Sequence, residues 1–367
     1  MIRTLRTLLA RGRMGMPAAV LALALVGCGG GGASGEPARL TVMTQNVYYG
    51  AEFDPVVEAV ALGDPDGIVI AATQVWAEVR ASDFATRAGA IADQIVRSRP
   101  DLVGLQEAAL FQSFRLDPLL GPIESGRLDY TELLLAALAA RGLPYEVIAS
   151  IDTLDAELPA LTDDGMDLQL VRLLDRDVLL ARAGLEADGI HLFRKESGRY
   201  RVGVPLAAGI TVESGWVSVD AWVGGRIVRV LSTHLASGVE DAQRSQAAEA
   251  MEVALEGAVN VVFMGDFNSD ALRGTGPDRT ATYDDIVFGG YDDAWVAAHP
   301  TARGATWGRR GGLFGVDTEL TERIDHVFFA GDLDVSGVDL VNEDPADRRG
   351  GLWPSDHAGV VATFRIR

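Results

Sequence analysis

The interpretation of the chain begins with one stretch of sequence, Val259-Asn260-Val261-Val262-Phe263-Met264-Gly265-Asp266-Phe267-Asn268-Ser269-Asp270. Its first half is almost continuously apolar and rich in β-branched residues, a pattern typical of a central strand that is buried on both faces. Because side chains alternate along an extended chain, Asp266 and Asn268 point to one face and Phe267 to the other. A strand followed by an ordinary Asp/Asn turn would give a similar pattern. The meaning of the stretch therefore depends on whether other strands end in the same way.

Other predicted strands do end in polar residues. Strands are predicted at 39–47, 101–107 and 176–182, in a hairpin of 216–223 and 226–234 joined by Gly224-Gly225, and at 321–329 and 358–366. Eight polar residues fall at or next to the ends of these segments and of the opening one: Asn46, Glu107, His234, Asp266, Asn268, Asp325, Asp356 and His357. Open α/β architectures tend to place their chemistry at strand ends, so we expect these side chains to lie close together.

The segments between the strands are predicted to be mainly helical. Residues 50–80 indicate a helical insertion, and 83–97 an amphipathic helix with Ser82 as its N-cap. Further helices are predicted at 129–141 and 239–256. The acidic segment 150–168 is interpreted as a solvated surface loop.

The residue types at the strand ends indicate a chemistry. Oxygen ligands without thiolates suit a hard cation such as Mg²⁺ or Mn²⁺ rather than structural zinc. Imidazoles beside such a cation suit proton transfer to or from a water molecule that attacks phosphorus. The residues alone therefore favour metal-assisted hydrolysis of a phosphoester.

Six motifs carry a resemblance to a known family. In their order along the chain, these motifs resemble those of the endonuclease/exonuclease/phosphatase superfamily. They are Gln45-Asn46, Leu105-Gln106-Glu107, Thr233-His234-Leu235, Gly265-Asp266-Phe267-Asn268, Arg323-Ile324-Asp325-His326 and Ser355-Asp356-His357. The resemblance covers residues 39–366. It implies a DNase I-like α/β fold, a four-layer α/β/β/α sandwich of two mixed β-sheets with outer helices.

The resemblance also implies roles for the strand-end residues. Glu107 would be the principal Mg²⁺ or Mn²⁺ ligand, with Asn46 helping to place the metal or the phosphate. Asp266 would orient or deprotonate the attacking water, Asn268 would hold a phosphate oxygen, and His234 would stabilise charge on the five-coordinate phosphorus. His357 would be the acid/base histidine.

The partner of His357 is argued from strand geometry. Adjacent residues in an extended chain point apart, so Asp325 is the better candidate to orient His357, and Asp356 is free to face the metal. For the same reason His326 is interpreted as structural. Arg176 is interpreted as one member of an ion pair rather than as a phosphate ligand.

The first residues are interpreted as an export signal. Four arginines precede an apolar run at 16–26, and Leu25-Val26-Gly27-Cys28 resembles the lipobox of bacterial lipoproteins. We therefore expect a signal peptide at 1–27, a lipidated Cys28 followed by a flexible tether to residue 38, and a catalytic domain at 39–367. The mature protein would be exported and anchored to the cell envelope by its lipid, at the outer membrane or cell surface. An ordinary signal peptide that leaves a free thiol is the alternative.

Charge and motifs limit the substrate without naming it. Without the four leader arginines the chain has 28 basic and 52 acidic side chains, a formal charge of −24, which disfavours long nucleic acids. No lysine/arginine cluster for a polyphosphorylated inositol and no aromatic membrane hairpin are found. We expect a monomeric phosphodiesterase or phosphomonoesterase. A surface nuclease that scavenges nucleic acid and a non-catalytic binding module on the same fold are the alternatives.

Overall fold

The computed structural model describes residues 38–206, 210–274, 278–309, 312–316 and 319–367. Cys28 and the rest of the predicted leader and tether up to residue 37 lie outside the described residues. The strands within the described ranges are β1 (Arg39–Asn46), β2 (Leu102–Gln106), β3 (Leu110–Asp117), β4 (Gly121–Asp129), β5 (Tyr145–Leu161), β6 (Leu168–Arg182), β7 (His191–Arg199), β8 (Val204–Pro205), β9 (Thr211–Val212), β10 (Gly215–Val223), β11 (Arg226–His234), β12 (Asn260–Asp266), β13 (Asp292–Asp293), β14 (Asp325–Ala330), β15 (Leu333–Val341) and β16 (Gly359–Ile366).

The helices in the same ranges are α1 (Asp54–Leu62), α2 (Pro65–Ala81), α3 (Phe84–Ser98), α4 (Tyr130–Ala140), α5 (Glu240–Leu255), α6 (Thr282–Phe288) and α7 (Ala294–Ala298). Short 3₁₀ helices occur at Leu185–Asp188, Gly312–Phe314 and Pro345–Asp347. Within the part of the chain that is described, no helix has both the length and the apolar character needed to cross a membrane.

Two mixed sheets form the centre of the fold. The larger has the order β15-β16-β1-β2-β6-β3-β4, with β5 on the other edge of β6, and the smaller has the order β13-β14-β12-β11-β10-β7. In the larger sheet β2 pairs with the second half of β6, and β3 pairs with its first half. The strands β3, β5 and β6 therefore extend past the end of β2, where Glu107 lies.

The alternation of side chains along the strands produces four layers. Leu40 and Val42 of β1 pack against Val262 and Met264 of β12, so an apolar core lies between the two sheets. The opposite face of the larger sheet packs against α1–α4, and that of the smaller sheet packs around Phe263 together with α5 and α6. The predicted four-layer α/β/β/α sandwich is confirmed.

Two local predictions were wrong. Residues 150–168 are not a loop, because β5 and β6 form a long hairpin whose turn occupies only 162–167. The acidic side chains of β5 are exposed, while its apolar side chains other than Val147 are buried or half-buried. The N-cap of α3 is Asp83, whose carboxylate accepts from the Thr86 N–H, and Ser82 instead follows the end of α2.

A buried arginine joins the beginning of the domain to its end. The Arg87 guanidinium of α3 donates to four backbone carbonyls, at 2.7 Å from Val47, 3.1 Å from Tyr48, 3.1 Å from Ser82 and 3.1 Å from Pro354. We expect Arg87→Ala to lower the free energy of unfolding by about 3 kcal/mol or more, because it leaves buried carbonyls without donors. Urea unfolding followed by circular dichroism measures this.

The matched control is Arg97→Ala on the same helix. Arg97 is exposed and pairs with Asp347 at 2.6 Å, so its removal should change the free energy of unfolding by about 1 kcal/mol at most. Equal losses for the two variants would show that the internal hydrogen bonds of Arg87 contribute little.

Candidate active site

Strand register places the predicted residues at one edge of the sandwich. In the larger sheet Asn46 lies beside Gln106, the residue before Glu107. In the smaller sheet Asp266 is paired with His234 on one side and with Asp325 on the other. Parallel neighbours end at the same edge of a sheet, so polar groups that are distant in sequence meet between the two sheets.

Asp266 is the centre of the cluster. Its Oδ2 accepts a hydrogen bond from Asn46 Nδ2 at 3.1 Å and lies 3.5 Å from His234 Nε2 and 3.9 Å from His357 Nε2. Its Oδ1 accepts from the backbone N–H of Asn268 at 2.9 Å. One buried carboxylate thus faces both candidate catalytic histidines, a geometry suited to positioning and deprotonating a water molecule between them.

The backbone needs a glycine directly before this carboxylate. Gly265 has φ 151°, and a Cβ atom at this position would lie 2.0 Å from the carbonyl oxygen of Thr233. Phe267 turns away and packs against Phe263 and Phe328. Asp266 and Asn268 line the same pocket, which is the arrangement that alternation predicts.

His357 forms a buried pair with Asp325. The His357 Nδ1 atom lies 2.9 Å from Asp325 Oδ2, the contact expected if Asp356 and His357 point apart. Burial by itself lowers the pKa of His357, but the charges of Asp325 and Asp356 outweigh it and raise the pKa well above its ordinary value. The imidazolium form is therefore favoured, and Nε2 is the nitrogen that faces the pocket side of Asp266.

Glu107 and Asp356 provide carboxylate oxygens for a cation, whereas Asn46 turns its Nδ2 towards Glu107 and its Oδ1 accepts from a backbone N–H at 2.9 Å. Glu107 accepts from Asn46 Nδ2 at 2.9 Å and from the Tyr49 N–H at 2.8 Å, and Trp307 Nε1 donates to Asp356 Oδ2 at 3.2 Å. Burial, and then the charge of Asp356, raise the pKa of Glu107 to about 8. A divalent cation would offset this repulsion between carboxylates, and an all-oxygen set suits Mg²⁺ or Mn²⁺.

A second close group of possible ligands consists of Asp266, Asp325 and His357. Asp325 already holds His357 Nδ1 in a hydrogen bond, and Asp266 faces both histidines. These contacts fit an acid/base pair beside a carboxylate better than a metal centre, so the oxygen set around Glu107 is the better candidate for the cation.

Three of the eight non-glycine residues with positive φ in the described ranges lie at this edge. Tyr48, Glu107 and Asn268 have φ of 61°, 58° and 47°, values that non-glycine residues rarely adopt. In Asn268 this conformation lets Nδ2 donate to the Leu235 carbonyl at 2.9 Å, which fixes the side chain at the pocket wall. Such strained residues cluster at functional sites.

Two acidic residues in the same region were missed in the sequence. Asp175 lines the pocket, and Asp177 is fully buried beside the backbone of His234. Burial, and then the charge of Asp175, raise the pKa of Asp177 well above its ordinary value. The sequence signal here is that of Asp266 in reverse order. Asp266 follows an apolar run, whereas Asp175 and Asp177 directly precede one.

Two residues set aside by sequence reasoning, Arg176 and His326, lie outside the pocket lining. Arg176 forms an ion pair with Asp129 at 2.7 Å. His326 is buried on the outer face of its sheet, with Nε2 3.0 Å from the Ser269 carbonyl, and burial lowers its pKa to about 4.

The site opens into a cavity of about 350 Å³. Six of the eight predicted residues line it, while Asn46 and Asp325 lie behind the wall. The other polar groups of the wall include Tyr48, Glu52, Thr153, Ser214 and Ser237. None of the described residues that line the cavity is a lysine or an arginine.

Solved structures share this fold at low sequence identity. An endonuclease/exonuclease/phosphatase family protein from Bacteroides thetaiotaomicron is 18% identical, with a TM-score of 0.55 over 90% of this chain and 99% of that one. The B. thetaiotaomicron mannosyl-6-phosphatase is 16% identical, with a TM-score of 0.52 over 89% and 99%. D. rerio TDP2 complexed with single strand DNA product is 16% identical, with a TM-score of 0.52 over 89% and 98%.

The family assignment depends on the sequence profile. No curated protein matches the chain, and structural likeness at these identities shows the fold alone. The profile of the Endonuclease/Exonuclease/phosphatase family, however, matches residues 43–357, a range that contains every strand-end residue from Asn46 to His357. Together with the two mixed sheets and outer helices, this match shows that the chain belongs to the endonuclease/exonuclease/phosphatase family, whose members hydrolyse phosphoester bonds.

Proposed function

We propose that the protein is a Mg²⁺- or Mn²⁺-dependent phosphoesterase that catalyses in-line attack of water on phosphorus. The observation that supports this best is the position of Asp266, which lies 3.5 Å from His234 and 3.9 Å from His357 in a pocket shared with Glu107. A base, two donors to phosphoryl oxygens and a carboxylate for a cation are thus present in one cavity.

The proposed roles follow from the contacts. Asp266 accepts the proton of the attacking water, and Asn268 and His234 donate to phosphoryl oxygens. His357, oriented by Asp325, holds a proton at Nε2 for the phosphoryl or leaving-group oxygen. Glu107 and Asp356 would hold the cation, with Asn46 fixing Glu107 through its Nδ2. The cation, when bound, would supply Lewis-acid stabilisation of the charge that develops on the phosphoryl group.

The charge of the pocket supports the need for a cation. Five carboxylates contribute to its described wall: Glu52, Glu107, Asp175, Asp266 and Asp356. A phosphate anion entering this field without a counter-charge would be repelled. The same acidity disfavours long nucleic acids, even though TDP2 is a DNA-bound neighbour in fold.

The class of ester is tested with two chromogenic substrates. Bis(p-nitrophenyl) phosphate and p-nitrophenyl phosphate are assayed with Mg²⁺, Mn²⁺ or EDTA on the domain from residue 36 onward. Turnover that EDTA abolishes and metal restores would support the proposal, and the ratio of the two rates would choose between a diesterase and a monoesterase. Turnover that is unaffected by EDTA would contradict the metal-dependent mechanism.

The affinity for Mn²⁺ should depend on pH through Glu107. Because the pKa of Glu107 is raised to about 8, binding below this pH must release a proton. We expect the association constant to rise about tenfold per pH unit up to about pH 8 and then to level off. Calorimetry in buffers of different ionisation enthalpy counts the protons released.

Glu107→Gln should weaken Mn²⁺ binding and remove this pH dependence. The exposed residue Glu132 provides the control, because Glu132→Gln should leave both the affinity for Mn²⁺ and its pH dependence unchanged. Proton release that persists in Glu107→Gln would assign the titrating group to another carboxylate.

We further propose that the chain is exported and held at the cell envelope by lipid on Cys28, with residues 29–38 as a tether and 39–367 as a monomeric catalytic domain. The Leu25-Val26-Gly27-Cys28 motif supports this. In a bacterial host, Cys28→Ser should abolish incorporation of labelled fatty acid and release the protein from the membrane fraction. An unchanged membrane fraction would contradict lipid anchoring.

A further inference from the structure

A second cavity lies next to the catalytic one and is almost entirely apolar. Its volume is about 280 Å³. Its walls come from α1 and α2, from the Tyr49–Phe53 loop, from β3, from the parts of β5 and β6 that extend past the end of β2, and from Leu206, Ile210 and Val212. The larger side chains among them include Phe53, Val56, Trp76, Phe111, Leu158 and Leu173.

The register of β5 and β6 explains why this wall is apolar. Ala156 is paired with Leu173, and Leu158 with Val171. All four side chains therefore lie on one face of the hairpin, towards the helices. The intervening Asp155 and Glu157 are exposed on the other face. The hairpin thus has one hydrocarbon face and one charged face, on which Arg172 pairs with Asp155 at 2.7 Å.

The two cavities share part of their walls. Tyr49, Phe53, Leu206 and Val212 line both. The backbone N–H of Tyr49 also donates to Glu107 Oε2 at 2.8 Å. Tyr49, which borders the apolar cavity, is therefore hydrogen-bonded to the candidate metal ligand Glu107. A molecule with its phosphorus at Asp266 could extend a neighbouring group along Tyr49 and Phe53.

The size and lining suit a hydrocarbon group. An engineered apolar cavity of about 150 Å³ stays free of water and binds benzene. At about 280 Å³, this cavity has room for a group of roughly twice that volume. Water gains few hydrogen bonds against such walls, so an apolar group would be preferred there.

We propose that this cavity binds a hydrocarbon group of the phosphoester substrate, so that the substrate class is an amphiphilic phosphoester with an alkyl, acyl or aryl substituent next to the reacting phosphorus. The assignment rests on the proposed phosphoesterase function and specifies its substrate. Recognition comes from burial of the hydrocarbon in the cavity lined by Trp76 and Leu158, and the acidic pocket accepts only the phosphoryl group with its cation.

The first test is a series of alkyl p-nitrophenyl phosphates with methyl, butyl, hexyl and octyl groups, and a benzyl member. We expect kcat/KM to rise up to about fourfold per added methylene until the cavity is filled, which corresponds to about 0.8 kcal/mol per buried methylene. A higher rate for benzyl than for hexyl would identify an aryl group as the favoured occupant, and the reverse an alkyl chain. Equal kcat/KM for methyl and all longer members would overturn the proposal and leave the phosphoesterase function intact.

Ala156→Phe tests the location of the binding group. The added ring enters the cavity from β5, so the ratio of kcat/KM for octyl to that for methyl should fall at least tenfold. Glu157→Phe adds the same ring at the neighbouring position on the exposed face and should keep the wild-type ratio. If both variants keep the ratio, the hydrocarbon binds elsewhere.

Binding without turnover separates this inference from the proposed function. In Asp266→Ala, a bromoalkyl phosphonate should quench the fluorescence of Trp76, and Trp76→Phe in the same background should remove that component. Quenching would support the cavity as a hydrocarbon site even if no ester in the series is hydrolysed. Failure of the bromoalkyl phosphonate to quench Trp76 at concentrations up to its solubility would overturn the site.

Discussion

Asp266→Asn is expected to lower kcat/KM by about 10³- to 10⁴-fold while the protein stays folded. The amide has the shape of the carboxylate but cannot accept the proton of the attacking water, and general-base catalysis contributes about this factor. The carboxylate is 1% exposed and contacts Asn46, His234 and the Asn268 N–H, so no other described group has the same set of contacts. Steady-state kinetics with saturating Mg²⁺ measures the loss.

Asp270→Asn is the matched control. Asp270 is also buried and follows the same strand, but its oxygens accept from the backbone N–H groups of Leu272, Gly274 and Arg323. We expect this variant to lose stability and to keep its turnover per folded molecule, the opposite of Asp266→Asn. Near-normal turnover in Asp266→Asn with metal present would remove Asp266 from the mechanism.

The second large effect is expected at His357. His357→Ala should reduce kcat by about 10³-fold, because it removes a proton donor whose position Asp325 fixes at 2.9 Å. In the wild type the carboxylates of Asp325 and Asp356 raise the pKa of His357. Activity that needs the imidazolium should therefore persist at pH values above the usual pKa range of histidine and fall only at higher pH.

Asp325→Asn tests whether the Asp325 carboxylate raises the pKa of His357. Removing the negative charge lowers the pKa of His357, so the alkaline fall in kcat should move to lower pH. A purely structural role for Asp325 would lower activity equally at every pH. An alkaline limb that stays in place in Asp325→Asn but disappears in His357→Ala would show that another group sets the pKa of His357.

The candidate active site could be predicted from the sequence because its signal is local. Each strand is a short apolar or alternating run, and each polar residue follows it within one or two positions. Strand direction then implied that Asp266 and Asn268 share a face and that Asp325, not Asp356, contacts His357. The structure has these contacts, while the roles assigned to the residues remain predictions.

The hairpin of β5 and β6 could not be predicted because its alternation is interrupted. A bulge between Asp152 and Leu154 moves the less exposed positions from the odd residues Ile151 and Thr153 to the even residues Leu154 and Ala156. Alternation with a period of two cannot be recognised in the sequence across such a shift. The acidic side chains then favour the prediction of a loop. The apolar cavity was therefore not expected either, since five of its lining residues belong to this hairpin.

The N-cap of α3 shows a second, smaller limit of prediction from the sequence. Ser82 and Asp83 are both good N-cap residues, and sequence alone does not choose between neighbours. The choice is made by tertiary contacts, because Ser82 Oγ donates to the Val79 carbonyl at 2.7 Å and ends α2 instead.

The position of β1 has a consequence for how an active molecule arises. This first strand lies between β2 and the last strand, β16, and Ser355 Oγ donates to the Asn46 carbonyl at 2.7 Å across 309 residues of chain. Contacts between such distant parts form late and slow the folding of a chain. A chain that contains Asn46, Glu107 and Asp266 but lacks β16 therefore cannot complete the candidate active site. The site assembles only when the first and last strands have paired, so we expect truncated products that lack β16 to be inactive.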